Sequence, residues 1–289
     1  MFKFREAVVL LLPLFAWPAV AQGQGQAQTQ ARAFETIAIK PAVSNDPREI
    51  RIRVLPNGDV STTSTHPLVL LAYAYDLPMN PTPRFSVADT PPEKYDIEAK
   101  AAANAMPPGL SERERRGRMK AMMRELLADR FKLVMSVEQT TMPVYALTVA
   151  SGGPKLQKSA IAEKDCVFDF SLAPSSPKGC HTFVMGRGHP LNGSAIDMDD
   201  LALYLEQWTD LPVVNRTALD GLFAVETEGW QPLQLPPLPP GAGSRPSVDD
   251  LPTLFTVLGK LGLELKKQEV AVPVYTLDRL EPPAGVGRQ

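Results

Sequence analysis

Hydrophobic positions in this chain fall into short, often interrupted segments that switch between helical and extended spacing. The dense apolar stretch 67–75 predicts a buried helix, and Pro67 suits its first turn. A longer helix is predicted from Ser111, which forms a capping box with Glu114 and is followed by Met119, Met122, Met123, Leu126 and Leu127 at helical spacing. Further on, Asp197 is the expected N-cap of a helix with Met198, Leu201, Leu205 and Trp208 on one face. Ser247 with Asp250 is expected to open a fourth helix that buries Leu254, Phe255, Leu258 and Leu261. Alternation predicts strands at 94–100 and 222–228. It also predicts two terminal hairpins, 131–138 with 144–149 and 263–269 with 274–280.

These segments recur in order. Leu133, Met135, Pro143, Val144, Tyr145 and Leu147 are echoed by Leu263, Leu265, Pro273, Val274, Tyr275 and Leu277, each offset by 130 residues. Asp76-Leu77-Pro78 returns as Asp210-Leu211-Pro212, and Tyr95, Ile97 and Glu98 are matched in phase by Phe223, Val225 and Glu226. The expected fold class is α+β, as two tandem copies of a small helix-and-antiparallel-sheet unit, with two small sheets each covered by helices. The first unit covers 34–151 and the second 194–283, with a tail at 284–289. Between them, 152–193 reads as a connector loop, and 231–246 is a Pro-rich insertion in the second unit with PPII character.

The N-terminus does not follow this pattern. Lys3 and Arg5 precede a short apolar run that exits at Ala19-Val20-Ala21, so 1–21 reads as a secretory signal peptide and 22–33 as a flexible polar leader. No later stretch is apolar enough to span a bilayer, so a secreted or periplasmic location is expected, with no membrane span after cleavage. In that compartment Cys166 and Cys180 are expected to form a disulfide. A zinc site using His181 and His189 is the sharper alternative, although neither C-x2-C nor H-x3-H spacing is present.

Composition adds exclusions. Lys and Arg total 30 against 32 Asp and Glu, a net charge of -2, so no overall field draws the chain to nucleic acid. The Arg113 to Lys120 run is interleaved with acids and has no aromatic residues, so it reads as a solvated helix face. Asp197, Asp199 and Asp200 suit a helix N-terminus without any catalytic role. Metalloprotease, nucleophile-elbow, P-loop and dinucleotide-binding motifs are absent, and His66 reads as a neighbour of a helix cap. No catalytic residue, cofactor or metal is expected. Arg187 and His189, in a Gly-rich turn, are the candidate ligand contacts.

Several strings carry a family resemblance: FETIAIKP from Phe34, YDIEAKA from Tyr95, LLADRFKL from Leu126, MPVYALTVASGGPKL from Met142 and LPVVNRTALDGLFAVE from Leu211. Together they resemble a secreted, soil-associated acidobacterial family of unknown function, some members of which are joined to membrane metallopeptidases of the β-lactam-sensor type. The resemblance implies an exported module with a binding or sensing role; the peptidase motif is absent here. The chain departs from the family's D-[KR]-T-G-L-T-G pattern at Asn215, Ala218 and Asp220, and an ordinary backbone angle is expected at Ala218. The reading is an exported, non-enzymatic interaction module for an envelope protein, peptide or glycan. The alternative is a periplasmic hydrolase of unrecognised type, using residues near Arg187, His189 and Asp197.

Overall fold

A computed structural model of the chain describes residues 33–44, 46, 49–87, 90–171, 180–183, 191–235, 244 and 247–285. In chain order the elements are β1 (Phe34–Pro41), β2 (Arg51–Val54), β3 (Val60–Thr65), α1 (Pro67–Tyr75), β4 (Phe85–Val87), β5 (Tyr95–Ala101), α2 (Glu112–Phe131) and β6 (Val134–Val149). There follow β7 (Gln157–Lys158), β8 (Phe168–Ser171), β9 (Gly193–Ile196), α3 (Met198–Glu206), β10 (Val213–Asn215), β11 (Phe223–Val225), α4 (Leu254–Lys260) and β12 (Leu263–Arg279). The fold is α+β, and its strands form three sheets, ordered β1-β5-β3-β2-β8, β10-β6-β12-β4 and β7-β11-β9.

The helices begin where side chains can satisfy free N–H groups. Ser111 and Glu114 form the capping box of α2, and Asp197 and Asp200 form that of α3. His66 itself caps α1: its Nδ1 accepts from Leu68 N at 3.1 Å, and its Nε2 lies 2.7 Å from the Pro91 carbonyl. The capping geometry calls for a neutral ring that accepts at Nδ1 and donates from Nε2, and burial lowers the pKa accordingly. The fourth helix starts later than its sequence indicates. Thr253, not Ser247, caps α4, while Ser247 accepts from Asp249 N in a local turn. As a result Val257 takes the buried position and Phe255 is 45% exposed.

Neither terminal hairpin forms. β6 and β12 are unbroken strands that pair antiparallel with each other, from Leu263 opposite Val149 to Arg279 opposite Val134. The reason is local: Gln139-Thr140-Thr141-Met142-Pro143 contains no Gly, Asn or Asp to reverse the chain, and β-branched Thr favours continued extension. Each long strand gains a short parallel neighbour. β10 joins β6 with Val213 beside Tyr145, and β4 joins β12 with Phe85 beside Tyr275. The expected two sheets are therefore three, and the middle one draws strands from both 34–151 and 194–283.

Two apolar cores flank this shared sheet. The first gathers Ile52, Leu71, Ile97, Met123, Leu127 and Phe131, and takes Leu277 and Leu280 from the C-terminal region. The second gathers Leu191, Leu201, Leu205, Trp230 and Leu258, and takes Tyr145 and Leu147 from β6. At the turn into β12, Gly262 has φ +70, and a Cβ there would lie 2.1 Å from the Gly153 carbonyl oxygen, which only glycine permits. No helix among the described residues is long and apolar enough to cross a membrane.

A charged clamp also joins the segments. Arg84 donates from Nε to both oxygens of Glu206 at 2.7 Å, and Thr82 adds a hydroxyl at 3.1 Å. The Glu206 side chain has no exposure, and burial raises its pKa against the pull of Arg84. Arg84→Ala is expected to cost about 3–5 kcal/mol in urea denaturation because it strands a buried carboxylate, whereas the double change Arg84→Met with Glu206→Leu should cost far less. Ala218 differs from the ordinary geometry expected for it: its φ is 55, in the left-handed region, and Gly221 follows at 86. Ala218→Gly should therefore raise stability by about 1 kcal/mol, read from the same denaturation curves.

Candidate functional site

A cleft lies where α1, α2 and α3 converge over β2. Its volume is about 230 Å³. Ile52 and Val54 come from β2, Val69, Ala72 and Tyr73 from α1, Met119 from α2, and Leu203 and Tyr204 from α3. Aromatic pairs stiffen the walls: Tyr73 meets Phe168 with centroids 4.6 Å apart, and Phe183 stacks on Tyr204 at 4.2 Å. Burial pushes the Tyr204 phenol up to about 12, so it stays neutral at physiological pH.

One end of the cleft is ionic. The Cys166–Cys180 disulfide, with Cα atoms 5.5 Å apart, anchors the segment that carries His181. His181 adopts φ 58 and donates its backbone N–H to the Ala195 carbonyl at 2.8 Å. Its Nδ1 lies 2.7 Å from Asp200 Oδ2 and its Nε2 3.1 Å from Glu163 Oε1. Both ring nitrogens thus face carboxylates, which calls for an imidazolium. Burial alone lowers the His181 pKa, but the two carboxylates outweigh it and hold the group at about 9. Arg116 closes the cluster, with Nη2 2.7 Å from Asp197 and Nε 3.3 Å from Glu163.

The acids respond according to their neighbours. Burial raises Asp200, and His181 offsets this only in part, so its pKa stays above the usual carboxylate range. Asp197 is buried too, yet the Arg116 charge takes it below that range, and the hydrogen bond from His181 does the same for Glu163. Among the described residues, the hydrogen-bonded and ion-paired side-chain partners of His181 are two carboxylates and a guanidinium.

His181, Asp197 and Asp200 place possible metal-ligand atoms within 4.8 Å of one another. The Arg116 guanidinium already contacts both His181 and Asp197, so a cation there would have to displace it. The zinc alternative loses its two thiolates, because both Cys sulfurs are in the disulfide.

The disulfide between Cys166 and Cys180 is as expected. Arg187 and His189 lie outside the described residues. Asp197 and Asp200 do cap a helix, but they also belong to the ion cluster, as does Arg116, which the charge pattern assigns to a solvated face. Glu163 and His181 carry no motif around them. The one available signal was His181 following Cys180, since a disulfide fixes its neighbour.

These features define an α+β protein with an amphipathic cleft roofed by helices and closed by an ion cluster. A family model described as a protein of unknown function, DUF3738, matches residues 69–280, and the chain belongs to that family. Neither the curated proteins nor the solved structures contain a match.

Because the folded-state pKa of His181, about 9, exceeds the ~6.5 of a free histidine, its stabilisation is complete below pH ~6.5. It is lost as pH rises through about 9. The thermal midpoint should therefore fall between pH 7 and 9.5. His181→Gln, which does not titrate, should flatten that slope.

Proposed function

We propose that this chain is an exported, non-enzymatic binding module that holds a small, largely apolar molecule in the cleft between α1, α2 and α3. The observation that carries the reading is the cleft itself: hydrophobic and aromatic walls, a small set of polar groups at one end, and, among the described residues, no nucleophile hydrogen-bonded to the histidine there. An apolar cavity of ~150 Å³ holds benzene, so about 230 Å³ suits a ligand of about nine or ten non-hydrogen atoms.

Export is supported by the signal-like segment 1–21 and by the disulfide, which oxidising compartments maintain. The resemblance to relatives joined to membrane peptidases fits a module that reports an envelope ligand to a partner. The tandem duplication of 34–151 and 194–283 is part of the same proposal. Its support is the sheet pattern: β10 lies parallel beside β6 with Val213 at Tyr145, and β4 lies parallel beside β12 with Phe85 at Tyr275, the two tyrosines being 130 residues apart. In this reading the cleft lies between copies, with α1 and α2 from one and α3 from the other.

The test is a thermal-shift titration with 1-octanol, a neutral apolar probe of suitable size. The midpoint should rise with concentration as RT ln(1 + [L]/Kd) requires, and Leu203→Trp, which fills the cleft, should abolish the rise while leaving the protein folded. No shift with the native protein would refute the binding reading, and turnover of simple esters, amides or glycosides would refute its non-enzymatic part.

A further inference from the structure

The cleft holds one polar group that the protein does not itself use. Tyr73, on α1, lines it, and its ring is fixed against Phe168 with centroids 4.6 Å apart. The Tyr73 hydroxyl has no hydrogen-bond partner among the described residues, yet it is not one of the buried oxygens sealed from any partner, so it opens onto the space its side chain borders. That space is the cleft. Asp76 and Arg116, whose charges act on the phenol, line it as well. Burial pushes the Tyr73 phenol up and Asp76 adds to this, so the group stays protonated and presents an O–H donor at physiological pH. A largely buried donor without an acceptor is unfavourable, and a ligand that supplies the acceptor recovers that loss.

The ionic end of the cleft does not call for a charged head. Lys164, Arg116 and His181 are balanced there by Glu163, Asp197 and Asp200, with His181 bridging two of these acids and Arg116 2.7 Å from the third. Lys120 and Asp76, also in the lining, pair with each other at 2.6 Å. An ion entering the cleft would give up its hydration against apolar walls and meet only charges that are already answered. A neutral oxygen loses less hydration and gains the phenol.

We propose that the cleft selects an uncharged molecule with an apolar body and one hydrogen-bond-accepting oxygen, such as a small ketone, ester or alcohol, and that the Tyr73 hydroxyl donates to that oxygen. This rests on the binding reading above and narrows it to one chemistry and one specificity-determining residue. The apolar body packs against the aromatic and aliphatic walls, and the phenol fixes its orientation.

Acetophenone and α-methylstyrene test this, because they share one shape and differ only in carrying C=O or C=CH2. Calorimetry and thermal shift on the full-length protein, with its disulfide intact, are the measurements. Tyr73→Phe is expected to weaken acetophenone binding about three- to tenfold, the range of one net hydrogen bond, and to leave α-methylstyrene affinity unchanged. Without ligand the variant should melt with the native protein, since the hydroxyl it lacks has no partner to lose. Benzoate, the anionic counterpart, should bind more weakly than acetophenone, and Leu203→Trp should abolish binding of both neutral probes. Binding of α-methylstyrene alone, or acetophenone affinity that Tyr73→Phe leaves unmoved, would overturn the inference and leave the cleft reading intact. Tighter binding of benzoate would do the same, as would a lower melting temperature for ligand-free Tyr73→Phe, which would reveal an internal partner for the hydroxyl. Binding of neither neutral probe would overturn both readings.

Discussion

The antiparallel ladder between β6 and β12 is the constraint on which the rest of the structure depends. Each strand is long because its middle contains no Gly, Asn or Asp to reverse the chain, and an extended segment of that length must find a partner for its backbone N–H and C=O groups. The two strands satisfy each other over nearly their full length. Pairing them also sets where both cores lie, because Leu277 is carried into the first core and Tyr145 and Leu147 into the second. The short strands β10 and β4 then add to either side, each bringing its neighbouring helix or loop.

The ion cluster follows from that arrangement. Once α2 and α3 face each other across the cleft, Arg116 and Asp197 are close enough to pair, and the disulfide-anchored segment supplies His181 between two carboxylates. Every charged member is partly desolvated and therefore strongly dependent on its partners. The result is a polar end on an otherwise apolar cleft. The same geometry disfavours general-base chemistry, since an imidazolium held between two acids has no proton vacancy to offer near neutral pH.

Much of the secondary structure was legible from short-range rules. The bounds of α1, the capping boxes of α2 and α3, the strand phase at Tyr95 and Phe223 and the cysteine pairing follow from periodicity, caps and compartment. The errors were also physical. Ser247 resembles an N-cap, but its hydroxyl serves a turn and Thr253 does the capping. The alternating stretches at either end of Gln139-Thr140-Thr141 resemble a hairpin, yet nothing between them turns. Ala218 occupies a left-handed position that no propensity rule assigns to alanine.

The site was less legible than the fold. Asp197, Asp200 and Arg116 all had adequate local explanations, as helix caps and a solvated face, and a single sequence gave no reason to look past them. Local order was thus determined by the sequence itself: where most helices start, which face of a strand is apolar, and that the two cysteines would bond. Those properties depend on neighbours within a few residues, where spacing alone carries the physics. Only the tertiary structure decided which long strand pairs with which, that a dispersed set of charges becomes one cluster, and that three helices leave a cleft beside it. Those outcomes depend on contacts between segments far apart in the chain, and the free energy that selects them arises only when the segments are packed together and water is excluded.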